Sequence, residues 1–381
     1  MKSLREIVES SPRMRAVAMQ GLQREESPQP LGPDRWDWSK VQRLLIVRLR
    51  SIGDTVLTTP SLYALRRFLP QARIDILLED WVAPVLESFE YVDNIIELEG
   101  GSTVARFEVA REIRSTRYDV VYNLHGGTTA TLLTRASGAR HRVGFAHYQY
   151  ARLHNHLAPS SLLLWGTAKA HSVEQQLALL GWTGVPVSDR PSTHLAVSNT
   201  AVASISARLQ SAGLHDSTPF AMVHPATSFA TKQWATEKFA RVVEDLAARG
   251  LVTVALAAPN EAPVVEKLAA GAAVPVISLT DLSLPEVTAL ATRARVFVGN
   301  DSGIAHIAAA VKTPAVVIFG SSNVAHWKPW ATAPAEIVLE EMECQPCHGY
   351  FCEKFAQPEC ILRVPVERVT AAIERVLRES G

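Results

Sequence analysis

The stretch Val296-Phe-Val-Gly-Asn-Asp-Ser-Gly-Ile-Ala-His-Ile-Ala-Ala-Ala-Val311 leads directly into Lys312-Thr-Pro-Ala-Val-Val-Ile-Phe-Gly320. Its pattern predicts a buried strand, a polar turn, a short helix and a second strand. The turn runs from Gly299 to Gly303, and Pro314 prevents the helix from continuing into the next apolar run. The stretch is therefore typical of one strand–helix–strand unit of a parallel α/β sheet.

The polar turn of this unit suits a phosphate group. A helix that begins directly after such a turn leaves backbone N–H groups without helical partners, and these groups bind anions well. Asp301 and Ser302 can cap the helix, and His306 lies one turn further along. Taken alone, the same residues also describe an ordinary capped crossover. The turn indicates a phosphate site only in combination with the rest of the chain.

Units of this kind repeat along most of the sequence. Apolar strand patterns at residues 43–48, 74–78 and 118–124 alternate with helical patterns. The alternation weakens over residues 181–200, where glycine and proline accumulate, and then resumes up to a final helix at 366–377. The pattern predicts two doubly wound α/β domains of similar build, with ligands bound in the cleft beyond the carboxyl ends of their strands.

Composition limits the possible functions. The chain has 381 residues, 47% of them hydrophobic, which suffices for two domains with separate cores. Lys+Arg and Asp+Glu are equal at 38 each, so overall charge gives no argument for a nucleic-acid partner. The apolar runs are too short to span a bilayer, and the first residues lack the apolar core of a signal peptide. We expect a cytoplasmic protein.

Three motifs, in this order, resemble glycosyltransferase family 9, the heptosyltransferases that build the inner core of lipopolysaccharide. They are Leu45-Ile-Val-Arg-Leu-Arg-Ser-Ile-Gly-Asp-Thr-Val-Leu-Thr-Thr-Pro60, His224-Pro-Ala-Thr-Ser with Lys232-Gln-Trp, and Gly299-Asn-Asp-Ser-Gly-Ile-Ala-His306; Phe319-Gly-Ser-Ser and Trp327-Lys-Pro-Trp330 also fit. The resemblance extends over most of residues 41–378. It implies a GT-B fold, inverting transfer from a nucleotide sugar, usually ADP-heptose, and no metal or other cofactor.

The resemblance also suggests how the chain is divided. The predicted segments are an N-terminal extension that is poorly ordered or docked (1–40), an acceptor-binding Rossmann-like domain (41–190), a nucleotide-sugar-binding Rossmann-like domain (191–365), and a C-terminal helix that crosses back to the first domain (366–381). At most, we expect peripheral contact with the inner face of the inner membrane.

Asp54 is the candidate catalytic residue. Inverting transfer needs a carboxylate that takes the proton of the acceptor hydroxyl while the nucleotide diphosphate leaves from the opposite face. Asp54 follows the first strand in a loop where Gly53 allows a substrate to approach closely. The same aspartate could instead cap a helix at residues 56–68.

The donor site is assigned from the other two motifs. The resemblance places the donor on Thr227, Ser228, Lys232, Glu261 and Asp301, and the polar turn with the helix that follows it adds Ser302, Gly303 and His306. Hydroxyls, a lysine and backbone N–H groups stabilise the charge of a leaving diphosphate.

Several of these donor-site residues have an alternative role. Lys232 could be a solvated surface lysine, and Glu261 could stabilise a helix N-terminus instead of binding ribose hydroxyls. His306 could bind a phosphate or fill the core. Asp301 would orient a sugar hydroxyl or Lys232.

One segment has an unusual charge. Residues 120–173 contain no Asp or Glu, yet they include five Lys and Arg residues and six histidines. Such a run is often only a solvated basic surface. Because the family's acceptor is an anionic glycolipid and guanidinium groups bind phosphate and carboxylate bidentately, we expect Arg135, Arg140 and Arg142 to bind the acceptor.

All four cysteines lie close together in the sequence. Cys344, Cys347, Cys352 and Cys360 have a spacing that could hold zinc, although it is compact and irregular for a zinc ribbon. Cys347-His348 also completes a haem-attachment pattern, which would require export. We expect no metal at these cysteines.

Four functions agree with the motifs. The first is heptosyl transfer from ADP-heptose to the lipopolysaccharide inner core. The others are transfer from another nucleotide sugar to a different surface glycan, non-catalytic binding of a nucleotide sugar, and epimerisation of a nucleotide sugar. Asp54 and Lys232 argue against a binding module. An epimerase would need further acid–base residues at the cleft, and the sequence offers none that we can identify.

Overall fold

A computed structural model describes residues 27–347 and 349–380. Its first sheet has six parallel strands in the order β3-β2-β1-β4-β5-β6. These strands are β1 (Arg43–Val47), β2 (Arg73–Glu79), β3 (Asn94–Leu98), β4 (Val120–Asn123), β5 (His141–Phe145) and β6 (His156–Ala158). The strands are mostly apolar and buried, as expected for a parallel sheet that is covered on both faces.

The second sheet repeats this plan. Its six parallel strands lie in the order β12-β11-β10-β7-β8-β9. They are β7 (Phe220–His224), β8 (Val252–Leu256), β9 (Val276–Leu279), β10 (Val296–Asn300), β11 (Ala315–Ile318) and β12 (Ala335–Val338). Two doubly wound α/β sheets were predicted from the alternating pattern, and this prediction is confirmed.

Helices connect the strands of both sheets. In chain order they are α1 (Ile52–Val56), α2 (Thr59–Phe68), α3 (Thr103–Thr116), α4 (Thr128–Ala136), α5 (Ser161–Trp165), α6 (Ser172–Gly181), α7 (Asn199–Ser211), α8 (Thr236–Ala248), α9 (Ala262–Gly271), α10 (Leu284–Arg293), α11 (Gly303–Ala310), α12 (Val324–Trp327), α13 (Glu359–Leu362) and α14 (Val366–Glu379). Within the described residues, no helix is both long and apolar enough to cross a membrane.

The C-terminal helix does not cross back to the first domain, so that prediction is wrong. Helix α14 packs against α8 and against β10, β11 and β12 of the second sheet. Its buried stripe of Val366, Val369, Ile373 and Val376 belongs to the core of that sheet. The amphipathic pattern predicted one buried face, and the sheet nearest in sequence supplies the surface that covers it.

The described part of the N-terminal extension is docked on the first domain. Leu31 N donates to Gly181 O at 3.0 Å, and the Trp38 indole N–H donates to Thr183 O at 3.1 Å. Trp36 stacks on His141 with ring centroids 4.4 Å apart. These contacts lie at the amino end of β5. Residues 1–26 of the predicted extension lie outside the described residues.

The two domains meet where two helices begin. The first turn of α1 contacts the first turn of α11. A Cβ atom added to Gly303 would lie 2.7 Å from Ile52 Cβ, and one added to Gly53 would lie 2.8 Å from His306 Cδ2. The main chains therefore approach so closely that only glycine fits at these two positions.

Candidate active site

Asp54 lies at the carboxyl end of the first sheet, just beyond β1. It is the third residue of the short helix α1, whereas the sequence predicted a loop and a helix that begins at residue 56. Ser51 precedes the helix, and its backbone N–H and hydroxyl donate to Asp54 Oδ2 at 3.4 and 3.1 Å. The carboxylate thus helps to cap its own helix, as a carboxylate at this position often does, and it also faces the cleft.

Arg48, at the end of β1, is the partner of Asp54 that sequence reasoning missed. Its guanidinium donates to Asp54 Oδ1 and to the carbonyl of Leu124, which holds it rigidly. The arginine is buried, and burial lowers its pKa to about 10. A charge at the end of a buried strand must be paired, and this rule was the available signal. Arg48 thus fixes the orientation of Asp54.

In the second domain, a buried asparagine holds the loop that carries Lys232. Asn300, the last residue of β10, donates from Nδ2 to Pro225 O at 2.8 Å and accepts from Trp234 N at 3.1 Å. These bonds tie the loop after β7 to the turn that begins α11. Sequence analysis named the turn but did not assign this structural role to Asn300.

Lys232 and Asp301 form an ion pair inside the cleft. Lys232 Nζ lies 2.8 Å from Asp301 Oδ2, and only 5% of the Asp301 side chain is exposed. Ser322 also donates to Asp301 Oδ2. This pair is one of the two arrangements considered for Asp301. It holds the ammonium group at the cavity, where a diphosphate could accept its remaining hydrogen bonds.

Two buried histidines complete this wall. Ser302 Oγ lies 3.2 Å from His224 Nδ1. Among the described residues, His306 Nδ1 has no hydrogen-bond partner. Burial lowers the pKa of each histidine to about 4, and for His306 the nearby Asp301 raises the pKa while Lys232 lowers it. Both rings are therefore neutral at physiological pH, so each can donate one hydrogen bond and accept another.

One cavity of about 410 Å³ collects these groups between the two domains. Every candidate for the base and the donor site lines it, namely Asp54, Thr227, Ser228, Lys232, Glu261, Asp301, Ser302, Gly303 and His306. Leu256, Leu282, Leu284 and Val287 form an apolar wall near Glu261. The cavity thus combines a carboxylate, a cationic and hydroxyl-rich wall, and an apolar recess.

The three arginines proposed for acceptor binding lie at the opposite edge of the first sheet, so that prediction is wrong. Arg140 precedes β5, and Arg142 is its second residue; Arg135 lies in the last turn of α4. In the sheet register, His141 pairs with Val120 at the amino ends of the strands, whereas Asp54 lies beyond the carboxyl end of β1. One strand length, about 15 Å, separates this edge from the cleft.

The four cysteines surround a second cavity, in the segment that follows β12. Cys344, Cys347, Cys352 and Cys360 all line it, together with Thr231 and Ser321. In the part of the chain that the structure describes, no three His, Cys, Asp or Glu residues are arranged to hold a metal ion. His348 of the haem-attachment pattern lies outside the described residues. The expectation of no metal stays a prediction.

Comparisons with known proteins agree with this geometry. The family model of glycosyltransferase family 9 (heptosyltransferase) matches residues 106–355, which is well over half of the chain. The chain is 28% identical over 348 residues to lipopolysaccharide heptosyltransferase 3 of Escherichia coli (strain K12), covering 87% of this chain and 97% of that protein.

Two solved structures share the architecture. The glycosyltransferase family 9 protein from Veillonella parvula DSM 2008 has a TM-score of 0.77 at 23% identity, over 89% of this chain and 97% of that one. The ADP-heptose lps heptosyltransferase II of E. coli has a TM-score of 0.73 at 20% identity, over 89% and 99%. The predicted GT-B fold, with two Rossmann-like domains around a central cleft, is confirmed.

Proposed function

The chain belongs to glycosyltransferase family 9, the heptosyltransferase family, as its three motifs predicted, and we propose that it transfers a heptose from ADP-heptose to the inner core of lipopolysaccharide. The observation that carries this proposal is the single cavity in which Asp54 faces Lys232 and the turn that begins α11. An acceptor hydroxyl and a nucleotide diphosphate would meet there.

Asp54 would act as the general base of an inverting displacement. Its carboxylate takes the proton of the acceptor hydroxyl while that oxygen bonds to C1 of the sugar. The bond from C1 to the phosphate oxygen breaks on the opposite face, and ADP leaves with the electron pair. Arg48 holds Asp54 in position through its Oδ1, and the acceptor would replace the weak contacts that Ser51 makes to Oδ2.

The second domain would bind the leaving group. The Lys232 ammonium, the hydroxyls of Thr227 and Ser228, and the free N–H groups at the start of α11 all line the cavity. Such donors stabilise the charge that develops on the diphosphate as the glycosidic bond breaks. The neutral ring of His306 also lines the cavity and would add one more hydrogen bond to the diphosphate.

The apolar recess fits the nucleoside part of the donor. A purine ring would pack on Leu282, Leu284 and Val287, and Glu261 at the same recess would accept hydrogen bonds from the ribose hydroxyls. Among the described residues, the Glu261 carboxylate accepts a single long hydrogen bond, from Ala258 N to Oε2 at 3.4 Å, so its oxygens are available.

The acceptor would enter from the first-domain side. Arg50 is exposed beside Ser51, at the carboxyl edge of the first sheet, and supplies positive charge there. We assign the protein to the cytoplasmic side of the inner membrane, in peripheral contact with it, because its acceptor would be a membrane glycolipid.

Donor specificity and stereochemistry test this proposal. Purified protein is supplied with ADP-heptose and with other nucleotide sugars, with and without a deacylated inner-core acceptor, and release of nucleotide is measured. We expect ADP release that requires both ADP-heptose and the acceptor, and NMR of the product shows the inverted anomeric configuration. Transfer from a different nucleotide sugar, or retained configuration, would overturn the assignment.

A further inference from the structure

Helix α5 exposes two adjacent leucine side chains to solvent. Leu163 is 75% exposed and Leu162 is 39% exposed, although both are large apolar side chains. The helix itself is firmly held. Its last residue, Trp165, donates from the indole nitrogen to Glu174 O at 2.7 Å, and the Arg190 guanidinium lies 4.4 Å from the Trp165 ring. A rigid helix that displays adjacent leucines is an unusual surface for a soluble domain.

This helix lies close to the junction of the two domains. The chain that follows α5 joins the second domain, where Ala170 O lies 3.1 Å from His326 Nδ1 and His171 Nε2 lies 2.8 Å from Lys328 O. Trp327, between those two residues of the second domain, lines the candidate active-site cavity. Thr167 N donates to Leu162 O at 3.1 Å, so the leucines lie within a few residues of this junction at the rim of the cavity.

The charges on the flanking segments are positive. Lys169 and Lys328 are both exposed on either side of the domain junction. Glu174 is largely buried, pairs with Arg190 at 3.2 Å and accepts from His171 N. The acid-free segment 120–173 includes α5 and Lys169. Exposed leucines flanked by exposed lysines favour a surface that is negatively charged outside and apolar beneath.

We propose that α5, with Leu162, Leu163, Lys169 and Lys328, is the surface by which this protein docks on an anionic phospholipid bilayer. The leucines enter the boundary between headgroups and acyl chains, and the lysines meet lipid phosphates. This inference rests on the proposed function, because docking at the rim would bring a lipid-anchored acceptor to the cleft. It also explains why an exposed leucine pair is tolerated beside the site.

Vesicle binding of the full chain tests the inference. Sedimentation is measured with phosphatidylcholine vesicles, with and without phosphatidylglycerol, for the wild type, for Leu162→Asp with Leu163→Asp, and for Lys169→Glu. Phe107→Asp is the matched control. Phe107 is 72% exposed on the same domain, but lies on α3 beside Glu108. We expect salt-sensitive binding to the anionic vesicles, weakened about tenfold by the leucine changes and less by Lys169→Glu, and unaffected by Phe107→Asp.

Activity separates this inference from the proposed function. Every variant should transfer sugar to a water-soluble deacylated acceptor at the wild-type rate, whereas the leucine variant should lose transfer to the acceptor in vesicles. Unchanged vesicle binding in the leucine variant, or equal loss in Phe107→Asp, would refute the docking surface. A change of oligomeric state without a change in vesicle binding would assign the leucines to a protein interface. If the wild type does not use the soluble acceptor, the proposed function itself fails.

Discussion

The two walls of the cleft come from the same fold but have opposite chemistry. The first domain contributes a carboxylate, Asp54, whose position depends on a buried arginine. The second contributes a lysine, hydroxyls and a helix N-terminus, held by the buried Asn300. Since both walls are carboxyl edges of parallel six-stranded sheets, the fold provides only the location. Under the proposed function, a few side chains at the strand ends decide which wall would accept a proton and which would bind an anion.

Removing the carboxylate should have the largest effect. Asp54→Asn keeps the shape of the first wall but removes its base, so we expect kcat to fall by about 10²- to 10⁴-fold while ADP affinity stays unchanged. Steady-state kinetics and calorimetric titration with ADP measure the two quantities. Asp80→Asn, which changes an exposed carboxylate at the same sheet edge, is the control and should change neither. Full activity in Asp54→Asn would remove this aspartate from the mechanism.

Removing the lysine should mainly change ADP affinity, whereas removing the carboxylate should mainly change kcat. Lys232→Met deletes the ammonium group that we propose binds the diphosphate, and we expect about 10- to 100-fold weaker ADP binding, the cost of losing a hydrogen bond to a charged group. Lys267→Met removes a lysine whose ion pair with Glu237 is on the surface, and it should leave ADP affinity unchanged. If Lys232→Met bound ADP as tightly as the wild type, the second wall would not be the diphosphate site.

Substitutions of Arg48 test whether the position of Asp54 depends on this arginine. In Arg48→Met, Asp54 loses the group that orients it, and we expect kcat to fall about tenfold with ADP affinity retained. Arg48→Lys should recover part of this loss. Arg66→Met removes another ion-paired arginine of the first domain and controls for a general loss of stability. An equal fall of kcat in Arg66→Met would show that the Arg48 effect is not specific to positioning.

The smallest expected effect is a loss of stability in acid that is caused by the two histidines of the second wall. The pKa values of His224 and His306 are lowered to about 4 in the folded protein, so the unfolded chain binds more protons below its own pKa of about 6.5. The stability that the neutral rings contribute is therefore present above that pH and decreases as the pH falls toward 4. We expect Tm to decrease steadily over this range, and less steeply in His224→Gln. An equal slope in the variant would contradict this account.

The residues of the candidate site could be predicted because each follows the end of a strand within a short motif. Asp54 and Lys232 each follow a buried apolar run within a few residues. The sequence pattern alone therefore predicts that they lie at the carboxyl edge of a sheet. The partners of these residues could not be predicted in the same way. Arg48 is held by the carbonyl of Leu124 only because β1 and β4 are neighbours in the sheet. Strand order is a tertiary property.

The failed acceptor prediction has a related cause. Arg140 and Arg142 lie around the start of β5, a strand whose Gly, His and Arg residues gave no apolar signal. Without that strand, the basic segment had no sheet edge assigned to it. Charge along a sequence shows that a surface is cationic, but not which end of the sheet it occupies. The prediction for the C-terminal helix was wrong for a similar reason, because an apolar stripe does not specify which sheet it covers.

The contact between Gly53 and Gly303 sets a dimension of the enzyme. Because a Cβ atom on Gly303 would lie 2.7 Å from Ile52 Cβ and 3.1 Å from Gly53 N, the two main chains are held close together, and this contact would set the gap between Asp54 and the proposed diphosphate site. The affinity of an inhibitor that joins a nucleotide to an acceptor mimic through a rigid spacer would therefore depend strongly on the length of that spacer. Alanine at either glycine would push the two domains apart and widen the gap. It would therefore weaken binding of the joined inhibitor far more than binding of the nucleotide alone.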